Sequence, residues 1–199
     1  PNVRSVAPVV NASSVTATYD GRLRVWDATS GEPRTEVRET GEGSLVVAVS
    51  PDGRSVVTGG ETSLIRVWDE RLAQTAELQG HRNWVRALAF VPRQPGQEDS
   101  EDPALVSAGA DGVALLWESL TTATEPRALG ERSGLMESLA VSPDGRTVAT
   151  GNVEGQVILW DASGRDASPF DRPQLAGHDG TVTGIAFSPD GDLIVTTDS

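Results

Sequence analysis

Cysteine is absent from this 199-residue chain, which excludes a disulfide framework and thiol chemistry. Lysine is absent too. Every one of the 16 basic residues is arginine, a bias that suits a bacterial coding sequence rich in G and C. Against 29 acidic residues the net charge is −13. That balance argues against a nucleic-acid partner, because backbone recognition relies on clustered Lys and Arg. No apolar run approaches the roughly 20 residues of a membrane span, and no secretory signal pattern opens the chain. The expected location is cytoplasmic, with no membrane partner. Only His81 and His178 are available as imidazole ligands, so no metal site is expected. The acidic run Glu98-Asp99-Ser100-Glu101-Asp102 lacks the spaced ligands and internal glycine of a calcium loop, and is expected to be a solvated loop. No glycine-rich loop is followed by lysine, so no nucleotide or other cofactor is expected.

What the chain does have is turns and short apolar alternations. Its 21 Gly and 12 Pro, with 37% apolar content, suit many short strands around a real core. Trp26, Trp68, Trp117 and Trp160 each close an apolar run, as Val-Trp-Asp twice, then Leu-Trp-Glu and Leu-Trp-Asp. They recur at roughly 40–50 residues, a repeat period. Ser-Pro-Asp-Gly recurs at Ser50, Ser142 and Ser188, in phase with the tryptophans. The copy missing between the first two falls at Phe90-Val91-Pro92, where residues 92–103 form an acidic, Pro-rich insertion.

The fullest unit begins Gly80-His81, runs through Val85–Phe90 and Ala104–Ala110, turns at Asp111-Gly112 and ends at Trp117-Glu118. That order resembles a WD40 repeat, the building block of β-propellers. The resemblance implies an all-β fold of four-stranded antiparallel blades, about four and a half of them, an incomplete ring. The expected units are 3–38, 45–79, 80–130, 136–176 and 177–199. In the first, Val3–Ala7 is the inner strand with Pro8 at its end, Asp20-Gly21 is a hairpin turn, and Arg34–Val37 is the outer strand. The last unit has two of four strands, so the chain is expected to be a piece of a longer protein. Its open edges should favour self-association.

His81, Ser107 and Asp111 invite comparison with a hydrolase triad. The resemblance instead implies that, with Trp117, they form a structural hydrogen-bond tetrad that satisfies a buried indole and hydroxyl. No nucleophile elbow accompanies them. The other units keep parts of the set: Thr16, Asp20 and Trp26; Thr58 and Trp68, with Thr40 and Thr62 in place of His and Asp; Thr150 and Trp160, with Arg132 and Glu154 as replacements; and His178 with Thr196. In this family the loops into the inner strands and those between the second and third strands line one face. The alignment places Gly43 or Ser44, Trp84, Leu135 and Thr181 at the entries to the inner strands, and Tyr19, Glu61, Ala110 and Val153 just before the turn Asp or its replacement. Trp84, flanked by Arg82 and Asn83, has two readings, a partner anchor or packing over a neighbouring blade. Leu135 and Tyr19 are weaker partner candidates.

The function expected from the resemblance is a non-catalytic protein-interaction scaffold or sensor module. It resembles the propellers attached to bacterial serine/threonine kinases and STAND-type ATPases. The alternative is a small-ligand or enzymatic site in the central channel. The inner strands there read Val-Val-Ala-Val, Ala-Leu-Ala-Phe, Leu-Ala-Val and Gly-Ile-Ala-Phe, and supply few polar groups.

Overall fold

The computed structural model describes residues 3–9, 13–18, 21–27, 29–34, 38–39, 43–92, 102–121, 125–130, 132–162 and 174–199. Among them the first sheet holds β1 (Val3–Val9), β2 (Ser13–Thr18), β3 (Arg22–Asp27) and β4 (Arg38–Glu39). The second holds β5 (Ser44–Val49), β6 (Ser55–Gly60), β7 (Leu64–Asp69) and β8 (Gln74–Gln79). The third holds β9 (Val85–Phe90), β10 (Leu105–Gly109), β11 (Ala114–Trp117) and β12 (Arg127–Ala128). The fourth holds β13 (Met136–Val141), β14 (Thr147–Asn152), β15 (Val157–Asp161) and β16 (Gln174–Leu175). A fifth sheet has two strands, β17 (Val182–Phe187) and β18 (Ile194–Asp198). Each sheet is an antiparallel meander in chain order, and the first strands of successive sheets pack side by side. No helix of the described residues is long and apolar enough to cross a membrane.

Local chemistry explains the hairpins. In Ser50-Pro51-Asp52-Gly53 the Ser50 hydroxyl donates to Asp52 Oδ1 at 2.6 Å and accepts the Ser55 N–H at 2.9 Å. Gly53 takes the positive φ of 74° that the turn needs. Ser142 and Ser188 make the same bonds to Asp144 and Asp190. The Ser142 hydroxyl, then the Arg146 N–H, hold the Asp144 carboxyl below the usual carboxylate range.

The core lies in layers between sheets. Val57, Ile65 and Val67 meet Val85, Leu88, Leu105 and Trp117 across one junction. Ala87, Val106 and Leu116 meet Met136, Val148, Ile158 and Trp160 across the next. Burying each such aliphatic side chain stabilises by about 1.5–3 kcal/mol. Two junctions have a socket. A Cβ on Gly59 would lie 2.6 Å from Val85 Cγ1, and one on Gly151 would lie 2.5 Å from Val182 Cγ1. Glycine is needed there because the first inner-strand side chain of the next sheet fills the space.

The inner strands share a second feature. Each pairs with its neighbour through a register shift near its start. Val85 pairs with Gly109 and Ala87 with Ala108, which leaves Arg86 as the extra residue. Glu137 is left over in the same way between Met136 and Ser138, and Thr183 between Val182 and Gly184. A bulge of this kind re-aims one side chain out of the alternation.

Several expectations are corrected. The outer strand of the first sheet is Arg38–Glu39 rather than Arg34–Val37; Pro33 bridges Trp26 and Arg34 N–H reaches Val25 O at 2.8 Å, while residues 35–37 lie outside the described residues. Pro8 does not end β1, since the strand continues to Val9 with Pro8 opposite Ser14. The missing N–H is tolerated because β1 is an edge of its sheet. Asp102 is not part of a solvated loop. It accepts hydrogen bonds from the Ser119 hydroxyl, Leu120 N–H at 3.1 Å and Thr121 hydroxyl at 2.8 Å. Asp69 and Asp27 close the corresponding loops from within their own Trp-Asp pairs. The third sheet has Glu118 there, exposed, and Asp102 supplies the acceptor instead. Burial alone would raise the Asp102 pKa, but the bonds from Ser119, Leu120 and Thr121 outweigh it and leave the carboxyl below its ordinary value. Glu98, Asp99, Ser100 and Glu101 lie outside the described residues.

A buried polar clamp and a candidate interaction face

The clamp is built by register. Trp117 stands opposite Leu105, two residues from Ser107 on the same face of β10. The indole Nε1–H therefore reaches the Ser107 hydroxyl diagonally, at 2.8 Å. Trp26 reaches Thr16 at 2.9 Å, Trp68 reaches Thr58 at 2.9 Å and Trp160 reaches Thr150 at 2.8 Å by the same geometry.

In the third sheet the chain of bonds extends further. Ser107 Oγ lies 2.7 Å from His81 Nε2, and His81 Nδ1 lies 3.0 and 3.1 Å from the two Asp111 oxygens. The protons follow from the network. An indole only donates and an ionised carboxylate only accepts, so Nδ1–H of a neutral ring donates to Asp111 while Nε2 accepts from the Ser107 hydroxyl. Asp111 also accepts Arg82 N–H at 2.8 Å and Val113 N–H at 3.2 Å. Burial on its own raises the Asp111 pKa; the His81 hydrogen bond, then the Arg82 and Val113 backbone donors, bring it below the usual carboxylate range. Ser107 has no solvent exposure, so a substrate has no approach to its hydroxyl.

Other sheets complete the set differently. His178 Nε2 lies 2.7 Å from Thr196 Oγ1, and its Nδ1 lies 3.1 Å from Asp198 Oδ2. The His178 hydrogen bond is the main reason the Asp198 pKa is lowered. Asp198 was missed because it sits two residues past the hydroxyl rather than four. In the fourth sheet Arg132 and Glu154 are both exposed, and neither enters the clamp. Buried Asn152 occupies the position two past Thr150, bonding Glu154 N–H, Gln156 N–H and the Gln156 side chain, each at 3.0 Å. Its buried amide needs those partners. Thr62 belongs to no hydrogen bond of this kind, and Thr40, Tyr19 and Asp20 lie outside the described residues.

One face is formed by loops tied together in pairs. Glu61 N–H donates to Gly43 O at 3.2 Å, Ala110 N–H to Trp84 O at 2.8 Å, Val153 N–H to Leu135 O at 3.0 Å and Ser199 N–H to Thr181 O at 3.1 Å. Seven of these eight residues are ones that the alignment placed at the inner-strand entries or before the turn; Ser199 is the eighth. Trp84 is 40% exposed, and its N–H is taken by Asn83 Oδ1 at 2.8 Å. Arg82 and Asn83 are exposed beside it, while Leu135 is half-buried and Val153 is the exposed apolar residue of its pair.

Beneath Trp84 lies a group that strand alternation concealed. The Arg86 guanidinium sits 5.2 Å from the Trp84 ring centroid, and Arg86 Nε lies 3.1 Å from Glu137 Oε2 of the next sheet. Both are bulge residues, so the inner strands are not purely apolar or small. The signal was a charged residue second in two successive inner strands. Among the described residues no group of three His, Asp or Glu forms a metal cluster.

Comparison with known proteins agrees with this architecture. The model of the family "WD domain, G-beta repeat" matches residues 35–69, 72–118, 128–161 and 172–199, more than half the chain. A guanine nucleotide-binding protein subunit beta from Arabidopsis thaliana is 30% identical over 193 residues, covering 89% of this chain and 48% of that protein. One from Nicotiana tabacum is 29% identical, covering 92% and 49%. The nuclear distribution protein nudF of Emericella nidulans is 30% identical, covering 90% and 33%. The chain thus spans half or less of the length of these relatives.

Proposed function

Because the chain belongs to the WD40 repeat family, we propose that it serves as a non-catalytic protein-interaction scaffold whose contact face is formed by the paired loops around Trp84. The observation that carries this reading is the contrast among tryptophans. Trp26, Trp68, Trp117 and Trp160 spend their indole N–H groups inside the sheets, whereas Trp84 is held out by backbone bonds on both sides. A rigid, exposed Trp flanked by Arg is a favoured anchor for a partner. His81, Ser107 and Asp111 act as a clamp that fixes the loop carrying Trp84, and catalysis is absent from the proposal because the hydroxyl is sealed from substrate. Relatives named as a subunit and as a distribution protein favour a place in an assembly; a net charge of −13 disfavours a nucleic-acid partner, and the location proposed with it is the cytoplasm. Self-association would use the region of β18, where Leu193 and Val195 are exposed. The test is Trp84→Ala, compared with the parent chain by quantitative affinity capture from cell extract and by urea unfolding. Loss of captured proteins with stability unchanged within about 0.5 kcal/mol supports the reading. Unchanged capture, or a large stability loss, overturns it.

A further inference from the structure

We propose that the mouth between the third and fourth sheets recognises a carboxylate on the partner, specifically an acidic peptide segment in which Asp or Glu stands next to a large apolar residue. This rests on the interaction-face reading and adds the chemistry of what docks. The bulges in β9 and β13 turn Arg86 and Glu137 out of the strand alternation toward one another. Their contact neutralises charge but is poorly aimed, because neither Arg86 Nε nor Glu137 Oε2 makes a hydrogen bond although both atoms are buried. A guanidinium in that condition is a reserved donor, since a carboxylate approaching its other edge can take two parallel N–H bonds.

The surroundings decide the sign of the ligand. One face of the Trp84 indole is already occupied by the Arg86 cation, so a second cation gains little there. Arg82 and Arg132 are both exposed and come from the loops of two adjacent sheets, joined where Ser133 N–H donates to Gly112 O at 3.0 Å. The Asp111 carboxylate in the same region is fully used by His81, Arg82 N–H and Val113 N–H. One arginine thus lies against the exposed aromatic and two more are carried by the neighbouring loops, in a chain whose net charge is −13. Of the exposed acids, Glu154 stands beside the Arg132 loop, since a Cβ on Gly134 would lie 3.5 Å from its carboxylate, and Asp179 belongs to the next junction, where Gly155 abuts the backbone of His178 and Gly180. The Trp84 edge offers the apolar contact, and the guanidinium beside it offers the anion site.

The experiment pans a randomised twelve-residue peptide library on this chain and measures synthetic versions of the recovered peptides by Trp fluorescence and calorimetry. Recovered peptides are expected to carry Asp or Glu beside a large apolar residue. Their affinity should fall about tenfold or more with Arg86→Gln, or when the peptide's Glu is made Gln. Arg82→Gln, at an exposed position, gives a second reading if Arg86→Gln fails to fold. Arg54→Gln, on a remote hairpin, should be silent. Glu137→Gln should tighten binding, since it removes the competing carboxylate; a merely structural pair would not behave so. Neutral or basic peptides, no recovered peptide, or indifference to both arginine variants overturns the proposal. Peptides that lose affinity with Trp84→Ala but ignore the arginines leave the interaction face standing without its carboxylate site. Peptides indifferent to Trp84→Ala remove both.

Discussion

Replacing Ser107 by Ala deletes one oxygen and strands two groups. The Trp117 indole N–H, 2.8 Å from that oxygen, and His81 Nε2, 2.7 Å from it, both lose their partner. The His81 side chain is sealed from solvent and Ser107 has no exposure, so water cannot take the vacated place without rearrangement. A buried donor or acceptor left unsatisfied costs about 1–3 kcal/mol, and two are created here. Taking the lower part of that range for each group, the expected loss is about 2–3 kcal/mol, or roughly 4–12 °C in Tm for a chain of this size. Ser107→Thr is the control, because threonine holds the same place opposite Trp26, Trp68 and Trp160; it should stay near the parent. Trp117→Phe removes the donor together with part of a buried ring, and a double-mutant cycle with Ser107→Ala separates the hydrogen bond from that packing loss. Urea unfolding followed by both fluorescence and circular dichroism reads the effect, with coincident transitions as the check on cooperativity. A Ser107→Ala loss below about 0.5 kcal/mol, with Ser107→Thr equal to it, would refute the clamp.

Gly151→Ala should destabilise the chain by about 1–3 kcal/mol, because its Cβ would stand 2.5 Å from both Ser138 Oγ and Val182 Cγ1; a neutral urea midpoint would contradict the socket. The lowered Asp111 pKa means that its ionised form is favoured by folding. That contribution is present above about pH 4, the usual Asp value, and is lost as pH falls through the lower folded value. Asp111→Asn should accordingly flatten the urea midpoint between about pH 2 and 5, and an unchanged acid limb would oppose this. Asp102→Ala should cost about 1–2 kcal/mol, while Glu118→Ala, at an exposed neighbour, should cost under about 0.5 kcal/mol; comparable effects would remove the special place given to Asp102.

What could be read from residue order was whatever depends on local spacing. A tryptophan following a hydroxyl by ten positions across one hairpin leaves a mark in the chain, as does Ser-Pro-Asp-Gly. The two-residue strands β4 and β12 leave almost none, since so few residues cannot establish alternation. Arg86 and Glu137 escaped notice for a different reason. A bulge discards the period-two rule at the residue it inserts, and their meeting depends on how two separate sheets pack. Asp102 was misread because its partners at Ser119, Leu120 and Thr121 belong to a different loop, brought near only when β10 and β11 pair. Asn152 and Asp198 lie two residues past their hydroxyls, a place where Gly109 leaves room for His81 and Asp111 in the third sheet, so one position carries three solutions.

The fit of Val85 over Gly59, and of Val182 over Gly151, changes what counts as the heritable module of this chain. A whole repeat, cut at its own ends and transplanted, would carry a knob without its hole or a hole without its knob. Recombination within such an array is tolerated best when the crossover falls inside a sheet, so that both halves of each seam travel together.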